Sequence, residues 1–127
     1  MWMDKNRKFI LSVEDDPDTQ EMLGVLVKQH GYYFRAVDNC ADALRMIREN
    51  DPAAVLLDNL LPDGNGIELC RQVRQFNKKV PIIFLSGSGF GQEQEEALES
   101  GANVFLTKPL KLDKFFTTLV EYAPVTE

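Results

Sequence analysis

Five short apolar runs divide the chain: Phe9–Val13, Tyr32–Val37, Ala53–Leu57 with Asp58 at its end, Pro81–Leu85 and Asn103–Thr107. Each has strand length and stops at a cluster of Gly, Pro, Asn or Asp, and between them apolar residues recur at helical spacing. Strands apolar on both faces need cover on both faces. Strand and helix in alternation with short connections therefore imply a mostly parallel sheet between two helical layers.

The helices announce their own ends. Pro17 suits a first helical position, which makes Asp16 the N-cap. Met22, Leu23, Leu26, Val27 and His30 form one stripe of that helix, and Gly31 ends it. The second strand carries Arg35, as suits a sheet edge. Asn39 can cap the next helix, with Cys40, Ala43, Leu44 and Ile47 inward, and Asn50-Asp51-Pro52 stops it. A third helix runs from about Asn65 to Phe76 on Ile67, Leu69, Cys70 and Val73. The glycine-rich Gly87–Gly91 follows the fourth strand and costs more entropy to order than most loops. The helix from Gln92 to Ser100 has only Ala97 and Leu98 clearly apolar, so it is expected to be the least firmly held. Glu93, Glu95, Glu96 and Glu99 read as its solvated face. The last helix, Leu112 to Tyr122, places Leu112, Phe115, Phe116, Leu119 and Val120 together. Ser12 in the first strand is expected to be satisfied by backbone. Residues 1–7 read as a loose end, and the polar end Ala123–Glu127 as a terminus or the start of a linker.

Length and composition narrow the function. A chain of 127 residues makes one domain with a real core. A net charge of −6 disfavours nonspecific binding to DNA or acidic membranes, since phosphates need Lys and Arg. No apolar run approaches the roughly 18 residues that span a membrane, and residues 1–8 lack a signal-peptide core. Cys40 and Cys70 fall at apolar helical positions, where core packing is the natural role. These features point to the cytoplasm.

Chemistry gathers at the carboxyl ends of the strands: Glu14 and Asp15 after the first, Asp58 on the third, Ser86 on the fourth and Lys108 after the fifth. In a parallel sheet these ends share one edge, so residues far apart in the chain converge. Clustered carboxylates repel unless a cation lies between them. Oxygen donors suit Mg²⁺, with Mn²⁺ as the alternative, and with no histidine in the cluster and no cysteine at this edge the set argues against zinc. A carboxylate can attack phosphorus to form an acyl phosphate, while Lys108 and Ser86 offer a point charge and a hydroxyl to an oxyanion. By residue type alone the acidic pair is either Glu14/Asp15 or Asp15/Asp16.

Over residues 8–122 the chain resembles the receiver domains of bacterial two-component response regulators. The residues that carry the likeness are Glu14 and Asp15, Asp58, Pro62 and Gly66 in the loop after it, Ser86, Phe105 and Lys108-Pro109. The resemblance implies a flavodoxin-like doubly wound (βα)5 sandwich in three layers. Its parallel five-stranded sheet would have the order 2-1-3-4-5, in one receiver domain over 1–127. It also implies phosphorylation of Asp58 by a sensor histidine kinase or phosphotransfer protein, with Mg²⁺ bound directly by Asp15 and Asp58 and through water by Glu14. The backbone carbonyl of Leu60 would complete the ligands, and Lys108 and Ser86 would stabilise the phosphoryl group. Ser86 and Phe105 would form the switch. Such a domain promotes its own phosphoryl transfer and dephosphorylation and turns over no external substrate. It would act on a downstream protein or an output domain outside this chain, or through a phosphorylation-dependent dimer, and would bind neither nucleic acid nor membrane.

Three rival readings fit less of the chain. An aspartyl-nucleophile phosphohydrolase of the haloacid dehalogenase type wants a second Asp where Leu60 stands. A pseudo-receiver that binds partners without phosphorylation does not need a complete site. A flavin module of similar topology needs a phosphate-binding loop where Glu14-Asp15-Asp16-Pro17 would repel phosphate.

Overall fold

The computed structural model describes residues 9–87 and 91–125. The expected loose end before Phe9, most of the glycine-rich segment and the last two residues lie outside them. Five strands, β1 (Phe9–Val13), β2 (Tyr33–Val37), β3 (Ala54–Asp58), β6 (Ile82–Ser86) and β7 (Val104–Thr107), form one sheet in the order β2-β1-β3-β6-β7. Every pairing in it is parallel. This is the flavodoxin-like order, with β6 and β7 as fourth and fifth strands of the sheet. A separate antiparallel ribbon, β4 (Leu60–Leu61) with β5 (Gly64–Asn65), was not anticipated, because two residues carry no periodicity.

The helices α1 (Pro17–Gln29), α2 (Cys40–Glu49), α3 (Gly66–Phe76), α4 (Gly91–Glu99) and α5 (Leu112–Tyr122) divide between the two faces. Side chains alternate across a strand, so Leu11, Val13, Val55, Leu57 and Phe84 pack with Ala43 and Ile47 of α2, Leu69 and Val73 of α3 and Ala97 of α4. Ile10, Leu56, Ile83 and Leu85 face the other way, onto Leu23 and Val27 of α1 and Phe115 and Leu119 of α5. Each fully buried Val, Leu, Ile or Phe among them contributes roughly 1.5–3 kcal/mol relative to exposure.

Side-chain caps set three helix starts. Asp16 accepts the Thr19 N–H at 3.0 Å, Asn39 the Asp42 N–H at 2.8 Å and Asn65 the Glu68 N–H at 2.8 Å. Asp63 adds a cap from outside, accepting the Cys40 and Ala41 N–H groups at 2.7 and 3.1 Å. Arg74 pins α3 to the start of β7, donating to Gly101 O at 2.9 Å and Asn103 Oδ1 at 3.0 Å.

Several stripes are narrower than their spacing suggested. Met22, Leu98, Leu112 and Val120 are exposed, because a helix on a sheet buries only the arc that faces it. On α1 that arc is Leu23, Gly24 and Val27. His30 caps α1 and stacks on Phe116, ring centroids 3.8 Å apart. Cys70 is buried but Cys40, in the first turn of α2, is only half-buried. The backbone partner expected for Ser12 is not formed. Among the described residues its buried hydroxyl has none, while its carbonyl accepts from Gln20. Ala123 is not part of a polar end: it is buried, and its carbonyl accepts the Tyr32 hydroxyl. Ala97 is the buried residue of α4, in keeping with a lightly held helix. No described helix is long and apolar enough to cross a membrane.

Candidate functional site

Register brings the strand ends together. Val13 lies beside Leu57, Asp58 beside Leu85 and Ser86 beside Thr107. Glu14 and Lys108 therefore each stand one residue beyond a strand, at the same edge. Backbone bonds extend the ladder to both: Glu14 N–H donates to Val37 O at 3.1 Å and Lys108 N–H to Ser86 O at 2.8 Å.

Glu14, Asp15 and Asp58 each present a carboxylate oxygen within 4.8 Å of the others. Glu14 is 4% exposed, whereas Asp15 is open to solvent. Lys108 Nζ donates to Glu14 Oε1 at 2.8 Å and lies 3.8 Å from Asp58 Oδ1. Among the described residues a single ammonium thus faces three carboxylates, which leaves the cluster short of positive charge. Burial pushes the Asp58 carboxyl up to about 6; Lys108 opposes that shift, and Glu14 and Asp15 add to it. Asp58 is thus more basic than an exposed aspartate.

Asp16 is not one of the three clustered carboxylates. Its carboxylate accepts the Thr19 hydroxyl at 2.6 Å as well as the Thr19 N–H, and its own N–H donates to Glu14 Oε2 at 3.1 Å. Leu60 lies in β4 and is 77% exposed. Phe105 points into the core and stacks on Phe84, centroids 5.8 Å apart. Ser86 is buried, and its hydroxyl donates to the Glu93 carboxylate.

Three residues at this edge carry no signal in a scan for chemical motifs. Glu93 departs from the solvated face that its helix presents in the sequence. It is half-buried, and its Oε2 accepts from Asn59 Nδ2 at 2.8 Å. Asn59 in turn accepts the Gly66 and Ile67 N–H groups at 3.1 and 3.3 Å, which fastens the start of α3 behind Asp58. Gln20 Nε2 reaches Ser12 O, Glu14 O and Val37 O at 3.2, 3.0 and 2.9 Å. It thereby fixes the backbone on either side of the acidic pair. The position of Gln20, one turn beyond the Asp16 cap, is the signal that could have singled it out.

The donor set is oxygen only, lies at a solvent-facing edge and is under-compensated in charge, which fits a small hard cation. Comparison with known proteins agrees with this arrangement. Residues 10–120 match the response regulator receiver domain family. The DNA-binding response regulator MtrA of Mycolicibacterium smegmatis is 38% identical over 109 residues, which are 86% of this chain and 47% of that protein. Response regulator MprA of Mycobacterium leprae is 31% identical over 110 residues, 87% of this chain and 48% of that one. The chain thus spans about half the length of the curated relatives it matches. A two-component response regulator from Clostridium difficile superposes with a TM-score of 0.87 at 27% identity, over 91% of this chain and 95% of that one. The receiver domain of sensor histidine kinase PA1611 from Pseudomonas aeruginosa, with a magnesium ion coordinated in its active site cleft, gives 0.85 at 28% identity, over 92% and 98%. With the family matched along most of its length and the sheet order in agreement, this chain belongs to the response regulator receiver domains.

Proposed function

We propose that this receiver is a phosphorylation-controlled switch in which Asp58 accepts the phosphoryl group, with residues 8–122 as its working core. The observation that carries the reading is a strand-end carboxylate, made more basic by burial, beside an ammonium and two further carboxylates. Asp58 Oδ forms a bond to phosphorus as the bond from phosphorus to the donor breaks. A phosphohistidine of a sensor kinase or phosphotransfer protein is the donor class, and its imidazole leaves with a proton. Lys108 meets the charge on the transferred group, and Ser86 offers it a hydroxyl. Glu14, Asp15, Asp58 and the Leu60 carbonyl are the groups that would hold Mg²⁺, or Mn²⁺ in its place. When bound, the ion supplies charge neutralisation and Lewis-acid polarisation of phosphoryl oxygens. The ion at the corresponding cleft of the PA1611 receiver supports this.

Ser86 and Phe105 would carry the readout: Ser86 moves toward the phosphoryl group and Phe105 turns into the space it leaves. The face formed by α4, β7 and α5 would then alter. MtrA, about twice this length, binds DNA by name, so the recipient is either an output domain beyond this stretch or a separate protein. The setting is the cytoplasm. The exposed hydrophobic Leu60 at the second position after Asp58 speaks against the phosphohydrolase reading, which needs a carboxyl there.

Two measurements test this. Incubation with Mg²⁺ and acetyl phosphate should add one phosphoryl group to the intact mass, and Asp58→Asn should remove that addition entirely. Equal labelling of both proteins would end the assignment. Asp15→Asn should weaken Mg²⁺ binding by at least about tenfold, because it takes a formal charge from the ligand set. An unchanged titration would place the ion elsewhere.

A further inference from the structure

Glu93 is the third residue of α4, and its two oxygens are engaged differently. Oε1 accepts the Ser86 hydroxyl, and Oε2 accepts the Asn59 side-chain N–H at 2.8 Å. An ionised carboxylate has no proton to offer, so Ser86 must be the donor in the first of these bonds. A serine hydroxyl carries a single hydrogen. A phosphoryl group on Asp58 is also acceptor only, and would need that same hydrogen. Glu93 and the phosphoryl oxygen are therefore rivals for one proton.

We propose that Glu93 is a latch on Ser86, a positioning residue that holds its hydroxyl in the unmodified domain and releases it when Asp58 is phosphorylated. The proposal rests on Ser86 being the hydroxyl that meets the phosphoryl group. Bonds to a charged acceptor are about twice as strong as neutral ones, so the latch sets a threshold against which phosphorylation must work. Its second hold passes through Asn59, the residue next to Asp58, which also receives the first N–H groups of α3. Release would free the first turn of α4, whose buried residue is Ala97 alone. One proton thus links the chemistry at Asp58 to the attachment of a helix.

Glu93→Gln tests the rivalry directly. Glutamine Oε1 can accept from Asn59, which leaves Nε2 to donate toward Ser86 Oγ and no longer claims the hydroxyl hydrogen. Beryllofluoride with Mg²⁺ is the probe for the phosphorylated form, its binding followed by calorimetric titration. Glu93→Gln should bind it about tenfold more tightly than wild type, as expected for removing one hydrogen bond to a charged group. Glu93→Ala should shift in the same direction. In a Ser86→Ala background, Glu93→Gln should change affinity by less than about twofold, since no contested proton remains.

Unchanged or weaker binding by Glu93→Gln with Ser86 present would overturn the latch. Equal tightening with and without Ser86 would overturn it too, since the effect would then be general repulsion between Glu93 and the anion. Normal binding by Asp58→Asn would instead remove the phosphoacceptor reading, and the latch with it. That outcome is distinguishable from the other two.

Discussion

At pH 7 and without divalent metal, Asp58→Asn is expected to melt about 7 °C above the wild type. Folding raises the Asp58 carboxyl from 3.8 to about 6, so the folded state holds this proton more tightly than the unfolded chain. The unfolded state loses the proton first as pH rises. Stability contributed by the protonated form is therefore present in full below the unfolded value, declines between about 4 and 6, and is gone above. The gap corresponds to roughly 3 kcal/mol of penalty on the charged form at neutral pH. About 2 kcal/mol should be recovered in practice, since an amide also loses hydration there and Lys108 gives up one of its two carboxylates. For a chain of this size that free energy equals the stated shift.

The advantage should disappear near pH 4, where wild-type Asp58 is protonated when folded. Mg²⁺ should reverse the order at pH 7, because it binds the carboxylate form and stabilises only the protein that retains it. Thermal melts at pH 4 and 7, with and without Mg²⁺, check each arm. An Asp58→Asn difference of equal size at both pH values would show that burial does not raise this group.

Gly66→Ala is expected to cost about 3 kcal/mol or more and to damage the site as well as the fold. A Cβ at Gly66 would lie 2.4 Å from the backbone oxygen of Asp58, 2.9 Å from Phe84 Cζ and 3.1 Å from Asn59 Cα. None of these is the loose end of a flexible side chain. Two are backbone atoms beside the candidate nucleophile, and the third belongs to a fully buried ring. Relief must come from moving α3 away from β3, which would stretch the bond from Gly66 N–H to Asn59 O, now 2.9 Å. Overpacking usually costs 1–3 kcal/mol, and backbone obstacles place this substitution at or beyond the upper end. Denaturant unfolding gives the stability, and Mg²⁺ titration of the folded fraction reports whether Asp58 has moved. A variant of wild-type stability would mean that the loop after β3 yields easily.

What could be read beforehand follows from where the information lies. The strands and the first two helix starts were legible because Asp16 and Asn39 are local cap signals and the apolar runs have distinct periods. The convergence of Glu14, Asp58, Ser86 and Lys108 followed from parallel topology alone. Glu93 was not legible. Among four glutamates on a polar helix it differs only in the side it faces, and that depends on how α4 meets β6. Met22 and Val120 failed for a related reason, since spacing gives a stripe but not the width of the arc a sheet covers. Gln20 acts entirely through backbone carbonyls, which no scan of side-chain types detects.

The ion pair between Glu14 and Lys108 joins residues 94 positions apart. Its two ends stand one residue beyond the first and last strands of the sheet in chain order, so the counter-charge arrives only when β7 docks on β6. A form with β1 and β3 assembled but β7 still free would gather Glu14, Asp15 and Asp58 without the ammonium that tempers them. Coulomb repulsion would then oppose that half-built state more than the complete one. The cluster that equips the domain for a cation thus also penalises partial assembly, and it should sharpen the folding transition. Added salt, by screening that repulsion, should make the transition less steep.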